Sequence, residues 1–357
     1  MKQEYIQDFL IEEQNNVIDA MQKIDKNAKG IVFAVDEKNC LSGAVTDGDI
    51  RRWLMKTADM QADLKKFMNA EPITATDKQE AAQKCKEHQI KVLPIVNERR
   101  EVLDIFFQEK KDIYKGRTGS DALKDVPVVI MAGGKGTRLY PFTKILPKPL
   151  IPIGDIPIME RIVRKFCDFG AKNFLVTLNY KKNMIKSYFG DLAGDFHMEY
   201  VEENKPLGTG GSLTLLEDKL DRPFILSNCD SLIHADYENI YENHIKSGND
   251  LTIVSALKNI TVPYGVIHAA ENGAVMSMEE KPRLSYLINT GMYVINPEVI
   301  RRIPKDTFYH MTNLAEDLLK NNGKVGMYPV SEDSFLDMGE FEEMRRMEDK
   351  LNLKSAE

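Results

Sequence analysis

From about residue 127 onward, short apolar runs alternate with segments of helical periodicity. The run Val128 to Met131 predicts a buried strand. Apolar positions through 158–166 predict an amphipathic helix that ends at Gly170, and a second helix is predicted at 184–189. Further strands are predicted at 174–178, 198–201, 224–226, 251–256 and 288–295. Strands separated by helices imply parallel crossovers, so this region predicts a three-layer α/β, Rossmann-like domain with a mostly parallel mixed sheet of about seven strands.

The first 110 residues contain a weak internal repeat with an offset of 61. Each copy predicts a helix, a strand, a turn and a second strand, with strands at Ile31 to Val35 and at Val92 to Val96. Residues 109–126 are polar and include glycine and serine, which is typical of a linker. We therefore predict an N-terminal domain pair at 1–112, a linker at 113–126 and an α/β domain at 127–357; the resemblances described below imply that the first is regulatory and the last catalytic.

Composition narrows the function classes. The 357 residues are 43% hydrophobic, enough for a sizeable core and two or three domains. The net charge of −7 argues against a nucleic-acid binder, whereas the basic residues clustered at 135–148 suit a small anionic ligand.

The four cysteines lack metal-ligand spacing and predict reduced thiols. No secretory signal and no membrane-length apolar stretch are found, so we expect a soluble cytoplasmic protein with no membrane partner, which forms homo-oligomers.

The most informative stretch follows the first strand of the α/β region. Glycine and basic residues alternate from Ala132 to Arg138, where glycine lets the backbone turn sharply and bring several N–H groups to one anion. Lys148 follows between two prolines. The spacing is neither a Walker A loop nor Gly-x-Gly-x-x-Gly. Taken alone, the stretch could equally be an ordinary surface loop.

The wider pattern resembles the opening motif of the sugar nucleotidyltransferases, also called nucleoside-diphosphate-sugar pyrophosphorylases. That motif reads GG-x-GTRL-x-P-x-T followed by PKPL-x-PI. The matching residues are Gly133, Gly134, Gly136, Thr137, Arg138, Leu139, Pro141, Thr143, Pro147, Lys148, Pro149, Leu150, Pro152 and Ile153. Joining a sugar 1-phosphate to a nucleotide brings an anion onto a polyanion, so positioning and positive charge can do most of the work without a protein nucleophile.

The resemblance implies roles for individual residues. Arg138 would hold the departing pyrophosphate, and Lys148 would lie between the α-phosphate and the sugar phosphate. Asp230, after the apolar strand PFILSNC, and Asp337, in an aromatic-x-Asp-x-Gly sequence, would bind Mg²⁺, provided that the fold brings them together. An aspartate after a buried strand can also simply be a turn residue or a helix N-cap. The nucleotide-binding residues implied are Ala132, Gly133, Gly134, Lys135, Gly136, Thr137, Leu207, Gly208, Thr209 and Gly210.

Four shorter matches concern the base and the sugar. The stretch GTGGSL at 208–213 resembles the base loop of the family, in which Gly208, Gly210 and Gly211 would let a base lie flat on the backbone. Alone, the stretch is more often a glycine turn that opens a helix. Residues implied to bind the sugar phosphate or the sugar are Tyr264, Gly265, Glu280, Lys281, Asn289 and Thr290.

The N-terminal repeat resembles a tandem pair of CBS domains. The resemblance rests on Gly43, Thr46 and Asp49, in which Thr46 and Asp49 would face the phosphate and ribose of an adenine nucleotide. The second copy places Phe107 and Lys110 where the first has Thr46 and Asp49, so only the first half-site keeps the pattern. The alternative is a pair that only dimerises or packs on the enzyme.

The sequence therefore predicts an enzyme that transfers a nucleoside monophosphate from an NTP to a sugar 1-phosphate, such as a hexose or glucosamine 1-phosphate, for surface-glycan precursors. GTP is favoured because related CBS-fused enzymes resemble guanylyltransferases, including those of the legionaminic acid route. UTP, CTP or ATP remain alternatives. Two other classes remain open: a metal-dependent glycosyltransferase, and a regulatory subunit that senses nucleotide without turnover.

Overall fold

The structure is a computed structural model that describes residues 6–27, 29–88, 90–108, 120–339 and 341–351. By contacts these residues divide into two units. The first holds the described residues up to 108 together with 257–287 and 331–333. The second holds those of 120–256, 288–330 and 334–351. In the described ranges no helix is long and apolar enough to cross a membrane.

Among its described residues, the N-terminal part of the first unit includes three α-helices of ten or eleven residues and five strands. The helices are α1 (Val17–Asn27), α2 (Asp47–Thr57) and α3 (Lys78–Glu87). The strands are β1 (Leu10–Glu12), β2 (Ile31–Val35), β3 (Leu41–Thr46), β4 (Val92–Val96) and β5 (Val102–Phe107). β1 pairs in parallel with β2, β2 pairs antiparallel with β3, and β4 pairs antiparallel with β5. Buried residues from both sequence copies, among them Phe33 and Ile105, share one apolar cluster.

The structure reproduces the internal repeat at residue level. Strands β4 and β5 repeat β2 and β3 at the predicted offset, and the register irregularity recurs at the same place in each hairpin. In the turns, Asp36 and Asn97 each accept hydrogen bonds from two following backbone N–H groups. Asn39 and Arg100 both have a positive φ. Both copies therefore use one hairpin design. The part of the second copy after residue 108, including Lys110, lies outside the described residues.

The remainder of the first unit includes an antiparallel hairpin. Its strands, β14 (Gly265–Ala269) and β15 (Val275–Glu280), pair Gly265 with Glu280 at the open end. Every residue of β15 is exposed. This hairpin carries four of the predicted sugar-side residues.

The second unit contains the predicted mostly parallel mixed sheet, with seven strands in the order β10, β9, β6, β11, β16, β13, β17, of which only residues 257–261 and 283–287 are assigned to the first unit. Their bounds are β6 (Val128–Ala132), β9 (Asn173–Leu178), β10 (His197–Glu202), β11 (Phe224–Asn228), β13 (Leu251–Thr261), β16 (Arg283–Ile295) and β17 (Val325–Val330). β11 and β16 are antiparallel, and β10, β9, β6 and β11 are mutually parallel. Six of these strands are predicted from the sequence. The prediction omits β17 and ends β13 at residue 256, whereas the strand continues to Thr261.

Helices pack on both faces of this sheet. The α-helices described in the second unit are α4 (Phe142–Ile145), α5 (Ile158–Cys167), α6 (Lys182–Gly190), α7 (Gly208–Gly211), α8 (Tyr237–Ser247), α9 (Met311–Lys320) and α10 (Phe341–Lys350). Because side chains alternate along a strand, Val129 and Met131 of β6 face one side, where they share a core with Leu314 of α9. Phe174 of β9 packs instead on Phe166 of α5, with ring centroids 6.3 Å apart. The domain thus has the predicted three layers.

Two short antiparallel ladders flank the sheet, β7 (Pro152–Ile153) with β8 (Ile156–Pro157), and β12 (Ser231–Ile233) with β18 (Phe335–Asp337). The described end of the predicted linker, residues 120–126, packs within the second unit. Leu123 there is fully buried, and its N–H donates to the Phe169 carbonyl at 2.9 Å. Residues 120–126 of the predicted linker therefore belong to the packed part of the second unit. Residues 113–119 lie outside the described ranges.

Candidate active site

The candidate site lies where parallel strands of the sheet end. β6 and β11 are adjacent, with Met131 beside Asn228, so the glycine-rich loop and Asp230 follow neighbouring strand ends. Ligands in such sheets bind beyond the carboxyl ends of the strands. Ala132 is buried as the last residue of β6, whereas Gly134, Lys135, Thr137 and Arg138 are exposed and open to a ligand.

The loop glycines are required by close packing. Gly136 has a φ of +64°, and a Cβ there would lie 2.9 Å from Thr143 Cγ2 and 3.0 Å from Lys148 Cβ. A Cβ on Gly133 would lie 2.5 Å from Glu203 Oε1. The loop therefore rests directly on the segment that carries Lys148 and on a buried carboxylate.

Lys148 and Asp230 form a direct ion pair between Lys148 Nζ and Asp230 Oδ2. Lys148 is only 7% exposed, so its ammonium is held in place with little solvent around it. A lysine in a loop is ordinarily solvated. Its burial beside a carboxylate fixes a positive charge at the strand ends.

The two predicted metal ligands, more than a hundred residues apart in sequence, are brought together. In the β12–β18 ladder Ser231 is the register partner of Asp337, and the Met338 N–H donates to the Asp230 carbonyl at 2.9 Å. The Ser231 hydroxyl lies 3.3 Å from Asp230 Oδ1 and 3.4 Å from Asp337 Oδ1. The proximity that the metal prediction required is present, and the metal role itself stays a prediction.

The Asp337 carboxyl is affected both by its burial and by its charged neighbours. Burial, followed by the charge of Asp230, raises the pKa of the Asp337 carboxyl, and Lys148 and Arg138 oppose this increase. Gly339 makes room for the arrangement, because a Cβ there would lie 2.7 Å from Asp337 Oδ2 and 3.4 Å from Arg138 Nη1. Glycine is therefore required at the last position of the predicted Asp-x-Gly sequence for steric reasons.

The donor set fits a hard divalent cation. In the described residues no group of three or more His, Cys, Asp or Glu side chains is placed to hold a metal. Two carboxylates completed by water and phosphate oxygens are how Mg²⁺ is usually bound beside a nucleotide. Asp230 and Asp337 are thus the residues that could hold such an ion.

The base-loop glycines have a packing function that the sequence did not reveal. Residues 307–310 lie across them, and a Cβ on Gly208 or Gly211 would come within 2.6 Å of the Tyr309 carbonyl oxygen or 2.4 Å of that of Thr307. The N–H groups of Gly210 and Gly211 donate to the Tyr309 carbonyl, at 2.8 and 3.0 Å. Thr209 Oγ1 accepts from the Met311 N–H at 3.3 Å. The protein itself therefore occupies one side of this loop.

Glu203 is a candidate that sequence reasoning missed. It follows β10, is 8% exposed, and its Oε2 accepts from the Leu207 N–H at 3.2 Å. Burial raises the pKa of its carboxyl. The side chain thus contacts both the phosphate loop, at Gly133, and the base loop, at Leu207. The only signal in the sequence was its position just after a predicted strand.

The predicted sugar-side residues divide into two groups. In the first unit Gly265 pairs with Glu280, and the Lys281 N–H donates to the Tyr264 carbonyl at 3.3 Å, so these four residues gather at one end of the hairpin. In the second unit Asn289 Nδ2 donates to the Tyr293 hydroxyl at 2.6 Å. Thr290 is buried, and its hydroxyl donates to the Val254 carbonyl. Thr290 therefore has a structural partner already.

The two predicted regulatory residues also have structural partners. Thr46 is the N-cap of α2, and Thr46 and Asp49 form a reciprocal capping box. The Thr46 hydroxyl donates to Asp49 Oδ2 at 2.6 Å, and Arg52 pairs with Asp49 Oδ1. Both side chains are thus held rigidly at one helix end.

The chain is similar in sequence to known nucleotidyltransferases. The sequence profile described as Nucleotidyl transferase matches residues 127–352. The chain is 31% identical over 231 residues to a UTP–glucose-1-phosphate uridylyltransferase of Synechocystis sp., covering 59% of each protein. It is 30% identical over 230 residues to a mannose-1-phosphate guanylyltransferase of Mycobacterium tuberculosis, covering 63% of this chain and 64% of that one. It thus spans about three fifths of the length of these curated relatives.

Among solved structures, HddC from Yersinia pseudotuberculosis superposes with a TM-score of 0.51 and 28% identity, over 63% of this chain and 99% of that one. A second structure of HddC, complexed with GMP-PN, superposes with the same TM-score at 27% identity.

Proposed function

The chain belongs to the nucleotidyl transferase family, and from that membership we propose that it transfers a nucleoside monophosphate from an NTP to a sugar 1-phosphate, releasing pyrophosphate. The observation that carries the proposal is the convergence of Arg138, Lys148, Asp230 and Asp337 beside the glycine-rich loop. Relatives named for this reaction with glucose 1-phosphate and mannose 1-phosphate support it.

In the proposed reaction an oxygen of the sugar phosphate forms a bond to the α-phosphorus, and the bond from that phosphorus to the bridging oxygen of pyrophosphate breaks. The loop at 133–137 binds the phosphates, and Arg138 holds the leaving pyrophosphate. Lys148 attracts the incoming sugar phosphate from its fixed position. Members of the family generally use a divalent metal ion. We propose that Mg²⁺ bound by Asp230 and Asp337 neutralises phosphate charge.

A panel of four NTPs against several sugar 1-phosphates, with pyrophosphate release as the readout, tests the proposal. Release with one matched pair is expected. Release of a free nucleoside diphosphate from an NDP-sugar would instead indicate a glycosyltransferase. Absence of turnover with retained nucleotide binding would indicate a regulatory subunit. The intact set of Arg138, Lys148, Asp230 and Asp337 argues against that last alternative.

Glu203 supports GTP as the donor. The Watson–Crick edge of guanine presents two N–H donors side by side, and a carboxylate accepts from both. Uracil, thymine, adenine and cytosine have no two adjacent N–H donors on that edge, so one carboxylate oxygen would face an acceptor of the base unfavourably. Glu203 stands between the phosphate loop and the base loop, where a base would lie. The HddC complex with GMP-PN is consistent with this preference.

We expect Glu203→Gln to change the preferred base. Its amide offers one acceptor and one donor, which match the N–H and carbonyl of uracil. The kcat/KM for GTP should fall by about a hundredfold while that for UTP rises. The measurement is kcat/KM for both nucleotides at saturating sugar 1-phosphate.

The matched control is Glu202→Gln. Glu202 is the preceding residue and pairs with Lys182 and Lys186 at the surface. That variant should keep the GTP to UTP ratio. An unchanged ratio in Glu203→Gln would remove Glu203 from base selection and leave it a structural role at the Leu207 N–H and Gly133.

We also propose that the N-terminal repeat is a CBS-like pair that binds an adenine nucleotide at its first half-site. The residue-level repeat and the shared core support the pairing. Asp49→Ala should abolish any effect of adenine nucleotides on the rate, since its carboxylate would accept from the ribose hydroxyls. Rates are compared across an AMP and ATP titration.

Asp49→Ala also removes half of the capping box, so Asp77→Ala, which removes the N-cap of α3 in the second copy, is the control for lost helix capping. A response that survives in Asp49→Ala would place nucleotide sensing elsewhere.

A further inference from the structure

Two side chains that no motif singled out hold the short helix α4. The Tyr180 hydroxyl donates to the Thr143 carbonyl at 3.0 Å. Lys181 Nζ donates to the carbonyls of Lys144 and Ile145, both at 2.7 Å. Carbonyls at the C-terminal end of a helix have no partner within it. Three consecutive carbonyls are therefore satisfied from one neighbouring segment, and the two donors are adjacent in sequence.

The backbone of Lys181 is unusual for a lysine. Its φ of 50° and ψ of 34° lie in the left-handed region, which favours glycine and costs energy for other residues. The same ammonium lies 5.5 Å from the centre of the Tyr180 ring. A lysine is thus kept in a strained conformation with its charge directed at two backbone oxygens at a helix C-terminus, where a cation is favoured.

The held segment carries catalytic parts of the site. α4 is followed within three residues by Lys148, whose ammonium pairs with Asp230. Thr143 and Lys148 are also the residues against which Gly136 of the phosphate loop packs. A displacement of α4 would therefore move Lys148 and the phosphate loop together.

We propose that Lys181, with Tyr180, is a positioning residue that fixes α4 and thereby the place of Lys148 during nucleotidyl transfer. The inference rests on the proposed function and adds to it residues outside the phosphate-binding motif. Neither side chain needs to touch substrate for this purpose. Misplacement of a reacting group by about 1 Å can lower a rate by about a hundredfold, so the effect should appear in kcat.

Lys181→Gly separates positioning from folding. Glycine suits the left-handed backbone, so the variant should keep or raise the midpoint of thermal unfolding. Without the ammonium, kcat should fall by about ten- to a hundredfold while both KM values change by less than about threefold. Lys181→Arg, which keeps a donor for the carbonyls, should restore much of the loss.

Lys182→Met is the matched control, because Lys182 is the next residue and its ammonium pairs with Glu202 at the surface, away from α4. It should keep normal kcat. Tyr180→Phe removes one hydrogen bond and should give a smaller loss than Lys181→Gly. A stable Lys181→Gly with the kcat of the native protein would overturn the proposal. If Lys181→Gly unfolds, normal kcat in Tyr180→Phe would overturn it instead.

A second readout does not depend on turnover. Hydrogen–deuterium exchange of a peptide covering 142–150 should speed up in Lys181→Gly and stay unchanged in Lys182→Met. If the native protein shows no pyrophosphate release with any substrate pair, the proposed function fails while this exchange comparison still decides whether Lys181 holds α4. Equal exchange in the two variants would refute the positioning role.

Discussion

Arg138→Ala is expected to lower kcat for pyrophosphate release by about 10²- to 10³-fold with the fold intact. The side chain is exposed on the phosphate loop, so its loss opens no cavity. Its charge is close enough to Asp337 to oppose the increase in the pKa of that carboxyl. The charge that develops on departing pyrophosphate would lose its fixed counter-charge. The measurement is kcat at saturating substrates, with thermal unfolding as the check on folding.

The conservative variant and a distant arginine sharpen this test. Arg138→Lys keeps a positive charge but lacks the planar guanidinium, which can donate two parallel hydrogen bonds to a phosphate. Its kcat should therefore lie between those of the native protein and Arg138→Ala. Arg222→Ala removes an exposed arginine that pairs with the adjacent Asp221, and it should retain full activity. Near-native turnover of Arg138→Ala would remove Arg138 from the reaction and with it the main support for the phosphate-loop assignment.

The sequence predicted the sheet and the phosphate side of the site because both depend on local signals. The apolar run Val128 to Met131 predicts a buried strand, and the glycines and basic residues that follow it are contiguous in sequence. Asp230 could be placed at a strand end for the same reason. Its partner Asp337 required the family motif, since the ladder that joins them links residues more than a hundred positions apart.

Side chains whose importance comes from tertiary contacts could not be predicted. Glu203 and Lys181 look like ordinary charged residues after strands, and only the packing of loops from three strand ends reveals what they touch. From the sequence, the base-loop glycines are expected to leave room for a nucleotide base. The structure shows that Gly208 and Gly211 are needed against residues 307–309, a segment almost a hundred residues away. Steric requirements of this kind leave no local pattern.

The same distinction explains the division of the chain. The hairpin turns of the repeat were predictable from Asp36 and Asn97, whose side chains bond to the backbone nearby. The strands β13 and β16 continue past their predicted ends into the first unit, because apolar periodicity marks only their part buried in the sheet. The hairpin between them is largely exposed and carries only short apolar stretches, so the sequence did not predict its strands.

Asp230→Asn and Asp337→Asn should each raise the metal concentration needed for half-maximal activity by at least about tenfold. Asparagine keeps the shape but removes the negative charge that binds a divalent cation. The two variants differ in one respect: Asp230→Asn also deprives the buried Lys148 of its carboxylate partner, so it should lose more kcat at saturating metal than Asp337→Asn. The measurements are Mg²⁺ titrations of activity and Mn²⁺ binding followed by electron paramagnetic resonance.

Asp221→Asn is the control, since that exposed carboxylate pairs with Arg222 and its loss should leave both titrations unchanged. The Mn²⁺ titration matters because it reports binding even when turnover is lost. Asp230 pairs directly with Lys148, and Asp337 does not. If the two carboxylates act on Lys148 and bind no metal, Asp337→Asn should leave the affinity for Mn²⁺ unchanged. Weaker binding in both variants requires that the charges converging from β11 and β18 act together on one cation, which the β12–β18 ladder makes possible.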